Sequence, residues 1–322
     1  MRKAMAAAAL VLLVAAPLLA SCSASSVRPP QVQTRVTLTP VAGVGDQITG
    51  ATMAETARII RERLARSDVS GADVTSPDAR TIVVVLPGSP DQATLDLVSA
   101  RARMGFRPVL AVAAPGAAAP SSASATPDGA PTSQSTDLPT ATPTSASDPA
   151  YLTPGVMAVF DSTDCTNPAN RRVGGADDPM RPLVACDPAG TAKYVLGPVE
   201  LEGKDIAKAS SNLHKGPNDV TTNEWVVSLE FRSDGAKKFA SITTRMVSAN
   251  SPFNQFAMVL DGRVVSAPRV QSAILDGLAE ISGGDMTRAS AANLANQLSL
   301  GELPLTLTVQ GEQPVTPTAG SR

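Results

Sequence analysis

The sequence predicts an α+β protein, and three observations carry that prediction. Segments with a two-residue hydrophobic period are interspersed with segments that show the 3.6-residue period of a helix. Before residue 113 these segments follow the order β-α-β-β-α-β, which describes a ferredoxin-like, split βαβ unit. After residue 190 a second set of strands and helices predicts another α+β unit, joined to the first by a linker.

The first unit is predicted from six segments. Residues 34–41 alternate between apolar and polar side chains, as a half-buried strand does. Thr52 is the predicted N-cap of a helix with an apolar stripe on one face. A turn at Pro77-Asp78 separates two strands, and Pro87-Gly88 ends the second of them. The predicted elements are strands over residues 34–41, 73–76, 81–86 and 105–112, and helices over residues 52–66 and 91–103.

The second unit has its strongest signal at Asp261-Gly262. An Asp-Gly pair between two apolar runs is typical of a type I′ hairpin, because both central residues need φ > 0. Ser233 or Asp234 is expected to cap one helix and Thr287 another, which Gly301 ends. The predicted strands are residues 193–196, 225–231, 255–260, 264–267, 279–282 and 303–309, and the predicted helices are 233–247 and 287–300.

The chain begins with a short basic and apolar segment. Arg2 and Lys3 precede an apolar run over residues 4–20, and Ala20-Ser21 directly precedes Cys22. This order is typical of a bacterial lipoprotein signal, in which the cysteine is lipidated and becomes the new N-terminus. The alternative is a membrane-spanning anchor, but the run is shorter than the roughly 20 apolar residues that such a helix needs. We therefore expect a protein anchored by lipid to the extracytoplasmic face of the cell membrane.

Two further cysteines remain, Cys165 and Cys186. In an oxidising compartment an even pair predicts a disulfide. The residues between them are rich in proline, glycine and aspartate and contain little that could form a core, which favours the bridge. Two buried thiols are the alternative.

Composition excludes several classes of function. The chain has 322 residues with 27 basic and 29 acidic side chains, and its near-neutral charge argues against a nucleic-acid binder. A single histidine and three cysteines predict no metal site, and no cofactor motif is complete. Residues 113–149 are mostly Ala, Ser, Thr and Pro, and this composition predicts a disordered linker or an extruded loop.

No catalytic motif is present, so we expect no enzyme. His214 lies in a polar, turn-rich stretch and is predicted to be a solvent-exposed loop residue. Paired carboxylates such as Asp177-Asp178 are predicted to lie in a solvated turn. Phe253 and Phe256 follow a predicted helix and are the candidates for an exposed apolar contact with a polypeptide.

Residues 255–304 resemble the first large extracytoplasmic domain of the SecD and SecDF family. The resemblance rests on short motifs spread along this segment, and weaker similarity lies upstream in residues 59–64, in residues 82–88 and at Phe106-Arg107. The motifs are Leu260-Asp261-Gly262, Ser266-Ala267-Pro268, Gly277, Ile281 with Gly283, Leu294-Ala295 with Leu298, and Gly301 with Leu303-Pro304, preceded by Trp225-Val226-Val227, Phe231, Gly235 and Phe239.

The resemblance implies a ferredoxin-like base and an inserted α+β head domain that contacts the translocating polypeptide. SecD proteins continue into transmembrane helices that couple export to protons, whereas we expect this chain to act without that motor. The expected domains are a signal peptide over residues 1–21, a tether over 22–32, a base over 33–112 with a returning strand over 303–310, a linker over 113–149, a head over 150–302 that contains the disulfide insert, and a flexible tail over 311–322.

The resulting functional hypothesis is a lipoprotein that binds unfolded or nascent secretory polypeptides and assists Sec-dependent export. The expected partners also include subunits of the Sec translocon. The alternative is a structural or ligand-binding lipoprotein of the cell envelope that reuses the fold, because fold alone does not determine function. A hydrolase built on two distant carboxylates is a third and weaker hypothesis.

Overall fold

The computed structural model describes residues 32–41, 47–67, 69–116, 137, 139–171, 177–187, 189–216, 220–282 and 286–315. Cys22 and most of the predicted linker lie outside these residues. The α+β fold class is confirmed, because the described part of the chain combines several antiparallel sheets with a small number of helices.

The base is a four-stranded antiparallel sheet with two helices on one face. In order along the chain it consists of β1 (Gln33–Val41), α1 (Gly50–Ala65), β2 (Asp73–Asp78), β3 (Thr81–Pro87), α2 (Gln92–Ser99) and β13 (Thr306–Val315). The strands are arranged β13-β1-β3-β2. Val36 and Leu38 of β1 alternate with exposed or half-exposed residues, because helices cover only one face of the sheet.

The sequence prediction for the fourth strand of the base is wrong. Residues 105–112 were expected to close that sheet, but they form β4 (Met104–Ala113), which lies in the head. The strand that completes the base is β13, which pairs with β1 over its whole length. The physical reason is burial, since every residue from Met104 to Leu110 is buried and such a strand needs cover on both faces.

The head contains the remaining elements. They are β4, α3 (Pro154–Ser162), β5 (Leu183–Cys186), β6 (Lys193–Leu196), β7 (Leu201–Glu202), β8 (Ile206–Lys215), β9 (Thr221–Phe231), α4 (Ser233–Val247), β10 (Phe256–Leu260), β11 (Arg263–Ser266), β12 (Leu278–Ile281) and α5 (Arg288–Leu300). A larger sheet has the order β11-β10-β4-β6-β5, with β7 also paired to β4. A smaller antiparallel sheet has the order β12-β9-β8.

Four phenylalanines bring the two sheets of the head together. Phe106 of β4 meets the edge of Phe231 of β9, with ring centroids 5.4 Å apart. Phe239 of α4 and Phe256 of β10 complete the group. Each of the four rings is at most 5% exposed, so they form the centre of the head core.

Several local predictions are confirmed. Asp261 and Gly262 have φ values of 48° and 82°, as the predicted hairpin between β10 and β11 requires. Thr287 caps α5 as predicted, and the helix predicted to begin at residue 91 is α2, with Asp91 as its N-cap. The N-cap of α1 is Thr49 rather than Thr52, because the two threonines form a capping box in which Thr52 occupies the third helical position.

Candidate functional site

The head exposes two leucines at the end of its smaller sheet. Leu275 is 73% exposed and Leu278 is 51% exposed. They flank the turn Asp276-Gly277, which leads into β12. Two exposed leucines close together in the chain indicate a contact surface more strongly than isolated ones do, because contact with a partner would remove both from water. We call Leu275, Asp276, Leu278 and Glu280 the β12 edge.

The β12 edge is acidic. Asp276 accepts a hydrogen bond from the backbone N–H of Leu278 at 3.1 Å. Glu280 lies two residues further along the strand, and Glu230 of β9 is directly opposite Leu278 in the sheet. Sequence analysis did not single out these residues, although two leucines around an Asp-Gly turn were a visible signal.

The prediction for His214 is wrong. It lies in strand β8 and not in a loop, and its Nδ1 is 2.7 Å from Oε1 of Glu280. Since His214 lies on β8 and Glu280 on β12, their side chains meet across the intervening strand β9. The sequence suggested a loop because β8 is rich in polar residues, as an edge strand with a solvated face can be.

The prediction that Phe256 offers an exposed contact is also wrong. Phe256 is the first residue of β10 and is only 2% exposed. Its ring lies 6.1 Å from that of Phe106 and 6.2 Å from that of Phe239. The run of apolar residues from 256 to 260 signals a buried strand, and Phe256 belongs to that strand.

Phe253 lies at a different place in the head. It is half-buried and packs against a satellite core that includes Leu110, Val156 and Phe160. Its ring therefore joins the larger sheet to α3 and leaves part of its surface open to solvent. Its proposed contact with polypeptide stays a prediction.

Cys165 and Cys186 form a disulfide with a Cα–Cα distance of 5.6 Å. The bridge joins the segment after α3 to the last residue of β5, and both cysteines are at most 2% exposed. Lys193 of β6 strengthens the same connection, because its Nζ donates to the carbonyl of Phe160 at 2.7 Å and to that of Thr163 at 3.2 Å. Burial lowers the pKa of Lys193, and the carbonyls at the end of α3 hold the ammonium group.

Removal of the disulfide should loosen this part of the head. We expect the double variant Cys165→Ser/Cys186→Ser to lose about 3 kcal/mol of unfolding free energy, because the bridge closes a loop over a sequence separation of 21. Urea unfolding of the purified chain would measure the loss. Met180→Ser is the matched control, since Met180 lies between the cysteines but is 78% exposed. Equal unfolding midpoints for the two variants would contradict the prediction.

Asp261 connects the head to the end of the base. Its carboxylate accepts the backbone N–H groups of Ala102 at 3.0 Å and Arg103 at 2.8 Å. Burial raises the pKa of Asp261, although these hydrogen bonds and the nearby guanidinium of Arg63 oppose the rise. The side chain thus fixes the chain where it leaves the base and enters β4.

The described residues contain no cluster of three or more acidic, histidine or cysteine side chains that could hold a metal ion. None of the helices in the same part of the chain combines the length and the apolar character needed to cross a bilayer. What the head presents is an acidic strand edge with exposed leucines and a half-buried aromatic ring, and such groups can bind a partner.

Comparison with known proteins gives a consistent result. Residues 182–305 match the family "SecDF, P1 head subdomain". The chain is 38% identical over 165 residues to the protein translocase subunit SecD of Streptomyces coelicolor, a match that covers 50% of this chain and 28% of that protein. It is 36% identical over 167 residues to SecD of Mycobacterium tuberculosis, which covers 51% of this chain and 27% of the relative.

The fold agrees with a solved structure as well. The crystal structure of SecDF in the super-membrane-facing form aligns with a TM-score of 0.53 and 23% sequence identity, over 89% of this chain and 30% of that one. Of the two SecD proteins named above, the chain matches only between a quarter and a third of the length. Residues 182–305 are therefore similar to the P1 head subdomain of SecDF, within a chain that is similar to SecD proteins over half of its length.

Proposed function

We propose that this chain is a lipid-anchored extracytoplasmic protein that binds unfolded polypeptides in support of Sec-dependent export. Cys22 supplies the anchor and the head supplies the polypeptide contact. Its partners are nascent secretory chains and, at the exit of the channel, subunits of the Sec translocon. No catalytic step is part of this function.

The single observation that carries the proposal is the SecDF-type head over residues 182–305. The geometry of the head supports it, because exposed leucines at the β12 edge and the half-buried ring of Phe253 offer apolar surface to a passing chain. Unfolded secretory chains expose apolar side chains, which such surface can cover.

The test is crosslinking in cells from a photoreactive residue placed at Phe253. We expect adducts with nascent secreted chains or with channel subunits. The control carries the same photoreactive residue at Val41, which is 47% exposed but lies on the base. Identical adducts from both positions, or adducts confined to other envelope proteins, would contradict the proposal and favour an envelope protein that reuses the fold.

A further inference from the structure

We propose that an extended polypeptide with basic flanking residues binds along the free edge of β12 as an added strand. The inference rests on the proposed function and specifies where and how the head holds its polypeptide.

The backbone of β12 presents hydrogen-bonding groups away from its sheet. The N–H of Phe231 in β9 donates to the carbonyl of Gly277 at 2.9 Å, and this antiparallel register continues through Ala279 opposite Leu229. Hydrogen-bonded and non-hydrogen-bonded pairs alternate in an antiparallel ladder. The N–H and C=O groups of Leu278 and Glu280 therefore point to the free side.

In the described part of the chain, β12 has one strand neighbour, β9, and lies at the end of its sheet. The N–H of Leu278 already donates to the side chain of Asp276 and is not available to a partner. Three groups are left for a guest strand: the carbonyl of Leu278 and the N–H and carbonyl of Glu280. An extended chain satisfies such a row of alternating donors and acceptors, as in other cases of strand addition.

The exposed side chains favour an apolar guest. Leu278 is half-exposed on the strand itself, and Leu275 is more exposed in the turn that precedes it. A guest strand beside β12 would place its own side chains next to Leu278, on the same face of the extended sheet. Burial of both leucines then adds to the backbone hydrogen bonds.

The charges of the β12 edge favour basic residues at the ends of the bound polypeptide and disfavour a second copy of this chain as the partner. Asp276, Glu280 and Glu230 lie around Leu278, and the register places two cationic residues nearby: Lys208 opposite Glu230, and Arg232, which follows Phe231 and donates to the carbonyl of Lys204. Pairing β12 with β12 of another copy would bring two sets of these carboxylates together. Basic residues at the ends of a guest would instead meet opposite charge.

The test uses the purified full-length chain and a labelled synthetic peptide. The peptide has about ten residues, in which valine alternates with threonine, and carries lysine at both ends. Glu280→Pro removes the outward N–H while the bonded positions Ala279 and Ile281 keep their ladder to β9. Glu280→Ala is the matched control, because it removes the same side chain and keeps the N–H. Fluorescence anisotropy measures the affinity.

We expect Glu280→Pro to weaken binding by about tenfold or more and Glu280→Ala to change it by less than about threefold. A peptide with glutamate in place of lysine should bind more weakly than the lysine peptide. Equal affinities of the wild type and both variants would overturn the proposal, as would self-association of the wild type that Glu280→Pro abolishes.

A second measurement keeps the proposal testable if Glu280→Pro does not fold. Amide hydrogen exchange on the wild-type chain should show that the peptide protects the N–H of Glu280, while that of Ala279, already bonded to β9, changes little. An unprotected Glu280 amide at saturating peptide would overturn the proposal. If crosslinks to secretory chains from Phe253 persist in that case, the proposed function stands and only the β12 edge is wrong.

Discussion

Replacement of Arg107 by methionine should lower the unfolding free energy by about 3–5 kcal/mol, because it removes one member of a buried ion pair. Arg107 lies on β4 with 0% of its side chain exposed, and its guanidinium pairs with the carboxylate of Asp177, which is 7% exposed. It also donates to the carbonyls of Arg181 at 2.8 Å and Gly197 at 2.7 Å. Burial lowers the pKa of Arg107, and the carboxylate of Asp177 opposes that change.

Urea unfolding of the purified chain measures this effect, and two further variants identify its cause. Arg181→Met is the matched control, since Arg181 is 38% exposed, pairs with Asp178 in the same segment, and should contribute far less. Adding Asp177→Asn to Arg107→Met should recover part of the loss, because the uncompensated buried charge is then gone. A loss no larger than that of Arg181→Met would show that the Arg107 pair does not stabilise the head.

The base was predictable from sequence because its signals are local. β1 shows the two-residue period of a sheet with one covered face, β3 is a short apolar run bounded by turn residues, and α2 begins where its helix was predicted, directly after Asp91. The assignment of β4 failed because pairing between distant strands leaves no local mark. The chain departs from α2 at Ala100, where the backbone becomes extended, and Ala102 has a φ of 61°. An alanine gives no warning of a left-handed conformation.

The candidate site was only partly predictable. The Asp261-Gly262 hairpin followed from turn chemistry, but the second role of Asp261 as an acceptor for Ala102 and Arg103 depends on tertiary structure. Phe256 was misplaced because a ring at the start of a strand and a ring in a loop look alike in sequence. The buried partners of Arg107 could not be predicted either, because three of them are backbone carbonyls, which any residue supplies.

Replacement of Arg63 should uncouple the unfolding of the base from that of the head. It lies on α1, is 0% exposed, and donates to carbonyls at both points where the chain crosses between the two parts. At the first crossing the acceptors are Ala100 at 2.7 Å and Arg101 at 3.3 Å, and at the second the acceptor is Gly301 at 3.1 Å. Burial lowers the pKa of Arg63 to about 10, which leaves the guanidinium charged at neutral pH.

The two parts have separate hydrophobic cores, one around Leu38 and Val84 in the base and one around Phe106 and Phe256 in the head. Their connection therefore depends more on polar contacts at the crossings than on a shared core. We expect Arg63→Met to remove the side-chain donor of the Ala100, Arg101 and Gly301 carbonyls, at a cost of about 3 kcal/mol; the Arg101 carbonyl keeps the N–H of Leu303. Since the head core is untouched, the base should open at lower free energy than the head.

Amide hydrogen exchange resolves the two parts separately. In Arg63→Met, protection of the Leu38 and Val84 amides should fall by about a hundredfold, whereas that of Phe106 should fall much less. Arg58→Met is the matched control on the same helix, because Arg58 is exposed and pairs with Glu55 and Glu62 on its own helix. An equal loss of protection in base and head would contradict the prediction, because it would mean that the two parts unfold as one unit even without Arg63.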